Sequence, residues 1–232
     1  MSLFYEPAIS SGVLFLNPEE SRHCIKVLRK SVGDKITIID GKGGSYLVKI
    51  TNNNPKQCTY EIIEVVRDVP KDFHIHIALA PTKNIDRTEW FVEKAVEIGI
   101  DEISFIICTN SERRNINIDR VHKKVLNAAK QSLKATFPVI NSLQPIGDFI
   151  ENIGSSHKYI AYVDFDNPKV LSKLAPANSN YCVLIGPEGD FSSDELSLAI
   201  ENNFKKVSLG PSRLRTETAG LVACHSLNSI QY

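Results

Sequence analysis

The stretch Gly186-Pro187-Glu188-Gly189-Asp190-Phe191-Ser192-Ser193-Asp194-Glu195 lies between an apolar run, Tyr181 to Ile185, and a segment with helical spacing. A short apolar run bounded by glycine reads as a buried strand. Ser192 and Glu195 have the spacing of a capping box, so the loop ends at a defined helix start. A second stretch repeats the plan. Leu209-Gly210-Pro211-Ser212-Arg213-Leu214-Arg215-Thr216-Glu217-Thr218-Ala219-Gly220 follows the short apolar run Val207 to Leu209 and leads into a helix over Glu217 to Ile230. Two glycine-bearing loops therefore leave the ends of two strands expected to be neighbours. In an open α/β sheet, ligands bind in such a crevice. The second loop packs two arginines, a glutamate and two threonines into Arg213 to Thr218. That polar density beside a sheet is costly unless something pairs with it.

The rest of the chain divides at about residue 70. Residues 1–70 predict short strands over Lys35 to Asp40, Tyr46 to Ile50 and Thr59 to Val66, with turns at Gly41-Lys42-Gly43-Gly44 and Asn52-Asn53-Asn54-Pro55. Asn17-Pro18-Glu19-Glu20 predicts a helix start, with a capping residue, proline at the first position and an acid in the first turn. Short strands with tight turns and one helix suggest a small β-barrel.

Arg67 to Asp72 reads as a linker, and residues 73–232 form the second domain. There strand and helix alternate. The strands are Phe73 to Ala80, Ile103 to Cys108, a piece beginning at Val139, Tyr159 to Asp164, and the two already named. The helices cover Asp86 to Ile98, with Trp90, Phe91, Ala95 and Ile98 inward, and Asp119 to Thr136, with Val121, Val125, Ala129 and Leu133 on one stripe. Asn167-Pro168 opens a short helix ending near Leu174. Such alternation predicts a mostly parallel sheet covered by helices.

Several function classes are excluded or disfavoured. No phosphate-binding G-x-x-x-x-G-K-[ST], no G-x-G-x-x-G and no G-x-S-x-G is present. The five cysteines, at 24, 58, 108, 182 and 224, include no CxxC pair, which argues against a disulfide framework or a zinc site. His74 and His76 share a strand face without an evident third ligand, so no metal is expected. No apolar run approaches ~20 residues, and no membrane segment is expected. The N-terminus lacks the regions of a signal peptide, which predicts a cytoplasmic protein.

Net charge is zero, from 27 basic and 27 acidic residues, yet the charges are segregated. Arg22, Lys26, Arg29 and Lys30 form one basic cluster. Arg113, Arg114, Arg120, Lys123, Lys124, Lys130 and Lys134 form another. Either suits a solvated helix face or a nucleic-acid contact.

Four pieces together resemble the RsmE family, within the SPOUT class of RNA methyltransferases. They are IGPEGDFSSDE at Ile185 to Glu195, LGPSRLRTETA at Leu209 to Ala219, HCIKVLRKSVGDKI at His23 to Ile36, and AAKQS at Ala128 to Ser132. The family often has a second glycine after GPEG, where this chain has Asp190. Many members carry a basic residue ahead of the first aromatic, where this chain reads Ser2-Leu3-Phe4.

The resemblance implies an α/β fold, a SPOUT-type trefoil-knotted, mostly parallel sheet, behind an N-terminal PUA-like β-barrel. It implies S-adenosylmethionine held by Gly186, Pro187, Glu188, Gly189, Leu209, Gly210, Leu214, Thr216, Thr218 and Ala219, with the segment after Tyr162 contributing. It implies methylation of N3 of a uridine in 16S rRNA, within the small ribosomal subunit, by a homodimer. Arg215 is the candidate to stabilise negative charge on the uracil, and Glu217 to orient Arg215 or help take the proton. RNA contacts are expected from Arg22, Lys26, Arg29, Lys30, Arg113 and Arg114. Two alternatives stay open: a non-catalytic RNA-binding protein on the same fold, and a methyltransferase acting on a different RNA.

Overall fold

A computed structural model describes residues 3–162 and 169–232 of the chain. The expected strand end at Asp164 and helix start at Asn167-Pro168 lie outside the described residues. The chain forms two compact units: 1–70 with 126–137, and 71–125 with 138–232.

In the first unit, β1 (Leu3–Tyr5), β2 (Lys35–Ile39), β3 (Gly44–Asn52) and β4 (Thr59–Arg67) form one sheet in sequence order. β1 and β2 run parallel, and the other pairs antiparallel. Helix α1 (Pro18–Arg22) starts as its sequence predicts, with Asn17 Oδ1 accepting from the Glu20 N–H at 3.0 Å. It then widens into a π-helical turn, His23–Val27. Phe4, Ile9, Leu16, Ile38, Val48, Ile50 and Tyr60 fill the core.

Among the described residues, the second unit holds six parallel strands: β5 (His74–Leu79), β6 (Glu102–Ile107), β7 (Val139–Pro145), β8 (His157–Ala161), β9 (Asn180–Ile185) and β10 (Lys205–Val207). Their order is β10-β8-β9-β5-β6-β7. The two loop-bearing strands, β9 and β10, are therefore not neighbours, because β8 lies between them. The last strand also sits earlier than its apolar residues suggest. Lys205 and Lys206 pair with Tyr159 and Ile160, and lysines on an edge strand hide it from a hydrophobic pattern.

The helices are α2 (Ile85–Ile98), α3 (Ile118–Ser132), α4 (Ile146–Asn152), α5 (Leu171–Leu174), α6 (Ser193–Glu201) and α7 (Thr216–Ser229). Side chains alternate across each strand. Ala78, Ala80, Cys182 and Leu184 join a core with Phe149 of α4 and Ala199 of α6. Leu79 faces Gly220 of α7, where an added Cβ would lie 2.8 Å from both Leu79 Cδ1 and Phe91 Cε2. Two inward assignments fail. Trp90 is 42% exposed, and Leu133 is 58% exposed. Helix α3 ends at Ser132, and Leu133 turns left-handed with φ 58, which carries its side chain off the buried stripe.

Candidate active site

Because β8, β9 and β10 are parallel, their C-terminal ends open on one side of the sheet. A cavity of about 310 Å³ lies there, walled by Ala161 and Tyr162, by Ile185 to Glu188 with Asp190, and by Val207 to Gly210 with Ser212 to Thr216 and Ala219. Of the cofactor residues expected from the sequence, Gly186, Pro187, Glu188, Leu209, Gly210, Leu214, Thr216 and Ala219 line it, whereas Gly189 and Thr218 do not.

The first loop is held by groups from three other segments. Thr216 Oγ1 donates to the Gly186 carbonyl at 2.9 Å, joining the start of α7 to this loop. The Lys83 N–H donates to Glu188 Oε1 at 3.0 Å. Asn110 Nδ2 donates to the carbonyls of Gly189 and Asp190 at 3.0 and 3.1 Å. Asp190 has φ 63, and its Oδ1 accepts from the Phe191 N–H at 2.8 Å. Aspartate tolerates this conformation better than most residues because its short carboxylate bonds locally. The expected capping box is present. Its Glu195 does more than cap: Oε2 accepts from the Ser192 N–H at 2.8 Å, and Oε1 from the Thr109 N–H at 2.7 Å and Thr109 Oγ1 at 3.1 Å. One buried carboxylate thus ties the loop after β6 to the loop after β9. Beneath it, burial and the Glu195 charge raise the pKa of the Cys108 thiol, which keeps it protonated and inert.

Arg215 occupies the N-cap position of α7 without a side-chain cap bond, exposed on the cavity wall, and Arg213 is exposed beside it. Among the described residues, neither guanidinium makes a hydrogen bond or ion pair within the chain. Glu217 is placed differently. It is buried and does not line the cavity. One of its oxygens lies 3.9 Å from Arg87 Nε, and the other has no hydrogen-bond partner among the described residues.

Much of the second basic cluster is engaged within the protein. The Arg113 guanidinium donates to the carbonyls of Thr82 at 3.0 Å and Lys83 at 2.8 Å, fastening the loop after β5. Arg114 donates to the Thr109 carbonyl at 3.3 Å. Arg120 and Lys124 pair with the buried Glu89, and Lys130 pairs with Glu20. Among the described residues, the side chains of Arg22, Lys26 and Arg29 make no such bonds and are exposed. Also among the described residues, no cluster of three or more side chains could hold a metal ion.

The family model for the RNA methyltransferase domain matches residues 69–228, and that for the RNA methyltransferase PUA domain matches residues 16–63. The chain belongs to the RNA methyltransferase family. Proteins named ribosomal RNA small subunit methyltransferase E are among its relatives. The one from Rickettsia conorii is 29% identical over 204 residues, covering 87% of this chain and 83% of that protein. Among solved structures, an rRNA-methyltransferase candidate from Porphyromonas gingivalis is 41% identical with a TM-score of 0.93, covering 100% of this chain and 98% of that one. The Neisseria gonorrhoeae ribosomal RNA small subunit methyltransferase E, solved bound to S-adenosyl methionine, is 25% identical with a TM-score of 0.85, covering 100% and 98%.

In this RNA methyltransferase, sequence reasoning missed the residues that hold the site from behind. Asn110, Thr109 and the Lys83 N–H come from loops after β5 and β6, far from the glycine loops in sequence. Only the S-x-x-E spacing hinted at Glu195, and nothing local reveals a bond made 86 residues away.

Proposed function

We propose that this RNA methyltransferase transfers a methyl group from S-adenosylmethionine to N3 of a uridine in 16S rRNA of the small ribosomal subunit. The observation that carries this reading is the cavity bounded by three strand ends and faced by two arginines that are unpaired among the described residues. Its volume, about 310 Å³, falls at the lower end of the ~300–1,000 Å³ usual for small-ligand sites. Leu209, Leu214 and Ala219 offer apolar surface for a purine ring, and the backbone of Gly186 to Glu188 and of Gly210 offers polar groups for a ribose and an amino-acid head. These residues fit the cofactor, which when bound supplies an electrophilic methyl on a sulfonium.

The chain's own work is alignment and charge. Uracil N3 must lose its proton before it is a competent nucleophile. In this reading Arg215, on the cavity wall and unpaired among the described residues, favours the negative charge that develops on the ring. Glu217, buried behind the wall, keeps one oxygen without a donor among the described residues, and in this reading it orients Arg215 or helps take the proton. Fixed loops contribute orientation, which in favourable cases lowers a barrier by ~7–11 kcal/mol. Gly189 and Thr218 support the cofactor loops from outside the wall. RNA is gripped by Arg22, Lys26, Arg29 and Lys30, with Arg113 and Arg114 bracing the loops beside the cavity.

The reading includes a trefoil knot in the second unit, closure of the first unit's sheet into a PUA-like barrel, a homodimer, and a cytoplasmic location. Among the described residues no helix is long and apolar enough to cross a membrane.

Methyl transfer to 16S rRNA and to small subunits, read by mass spectrometry for 3-methyluridine, tests the activity. The Arg215→Ala variant is expected to lose roughly 100- to 1,000-fold in turnover, as when one oxyanion donor is removed, with S-adenosylmethionine affinity unchanged by calorimetry. Near-normal turnover in that variant removes Arg215 from the mechanism. Absence of cofactor binding by the intact chain removes the enzyme reading altogether.

A further inference from the structure

A second concave site lies in the first unit, at the widened turn after α1. It has a volume of about 530 Å³ and is walled by Pro18, Glu19, Arg22, His23 and Val27 from the helical segment and by Pro55 and Lys56 from the turn after β3. The π-helical turn shapes it. The Leu28 N–H reaches back five residues to the His23 carbonyl at 3.0 Å, and an inserted residue of this kind often marks a working surface. Arg29 then takes φ 54, turning the chain sharply beneath the turn.

The wall chemistry is specific. Val27 is 64% exposed and adds a branched apolar face to the wall. Pro18 and Pro55 add flat apolar surface. The ring of His23 is held edge-on by the buried Phe4, with centroids 6.1 Å apart and planes at 85°, and stays exposed to the groove. Arg22 and Lys56 bring positive charge to the rim, reinforced by Lys26 and Arg29. Glu19 is the one carboxylate in the wall.

Apolar faces, an aromatic ring and cations around a groove match an unstacked nucleobase between two phosphates. A carboxylate among them accepts from a base edge rich in N–H donors. The geometry points to a guanine-binding pocket in this groove. It would take one single-stranded guanine of the RNA, away from the methylated uridine. His23, Val27, Pro18 and Pro55 sandwich the base, Glu19 accepts from its N1–H and N2–H, and Arg22 and Lys56 meet the flanking phosphates. This inference rests on RNA being the substrate.

The test measures anisotropy of labelled single-stranded RNA, about eight nucleotides long, with the full chain. One probe is all uridine, and the other has a single central guanine. The guanine probe is expected to bind on the order of tenfold tighter, the discrimination typical of one bidentate base contact. Glu19→Gln should erase that preference and leave the uridine probe's affinity unchanged or higher. Val27→Glu, at an exposed position where folding is not at stake, should weaken both probes, with thermal midpoint and S-adenosylmethionine affinity intact. Equal binding of the two probes by the native chain overturns the pocket while leaving the enzyme reading standing, provided rRNA is methylated. Retention of the preference in Glu19→Gln also overturns it. Failure to bind either probe, together with failure to methylate rRNA, brings down both readings.

Discussion

Asp190 shows how one residue meets a backbone demand. Its φ of 63 suits glycine, and its carboxylate offsets the strain by accepting the Phe191 N–H. Asp190→Ala keeps the left-handed conformation and loses the bond. It should destabilise the protein by about 1–2 kcal/mol in urea unfolding. Asp190→Gly loses the bond but also the strain, and should stay within about 1 kcal/mol of the native chain. Gly220 makes the opposite demand. Alanine favours helix by roughly 1 kcal/mol, yet a Cβ here meets Leu79 and Phe91 at 2.8 Å. Overpacking costs typically about 1–3 kcal/mol, so Gly220→Ala should lower the thermal midpoint. A rise in midpoint would show that α7 can shift away from the sheet without loss.

At the scale of elements, the network on β5, β6 and β7 governs acid stability. His76 is buried, and its Nε2 lies 2.8 Å from Ser104 Oγ. Burial holds its pKa down at about 4. The unfolded chain therefore binds a proton near pH ~6.5 that the folded one refuses. Stability from this residue is complete above that pH and falls as pH drops toward about 4, by on the order of 3 kcal/mol. Glu102 is held low by its bond to His74 and loses its share as pH falls further. His74 is raised chiefly by Glu102, and its smaller contribution has the opposite sign, fading as pH rises through its folded value. His76→Gln should flatten the loss of urea stability between about pH 6.5 and 4.5 relative to the native chain. An unchanged slope would place the acid sensitivity elsewhere.

The same scale shows what the sequence could reveal. Strands such as Tyr181 to Ile185 and helices such as α2 were legible because burial imposes a period on residue type. The site loops were legible because glycine, proline and a capping box mark turns. Strand order was not legible: nothing local says that β8 inserts between β9 and β10. Nor does composition tell a structural arginine from a free one. Arg113 and Arg22 look alike in the sequence, and only the acceptors placed beside Arg113 separate them. Trp90 escaped because propensity does not say which side of a helix meets the sheet.

For the whole molecule, free and engaged cations predict how binding responds to salt. If Arg22, Lys26 and Arg29 meet phosphates, replacing any one by alanine should reduce the slope of log affinity against log salt by about one. Replacing Lys124, which is engaged with Glu89, should leave that slope unchanged and lower stability. A slope equally sensitive to both would mean that the internal pairing opens when RNA binds.

The placement of α7 also sets a timetable. This helix covers β5 and Phe91, which are made early, yet it leaves the ribosome after every strand of the sheet. It also supplies Thr216, which fastens the Gly186 loop. Until it arrives, Leu79 and Phe91 lack their cover and the cavity lacks a wall. A growing chain therefore exposes sticky surface during translation and acquires cofactor affinity only once α7 has emerged. The newborn protein depends on chaperone shelter for longer than a domain whose core closes early.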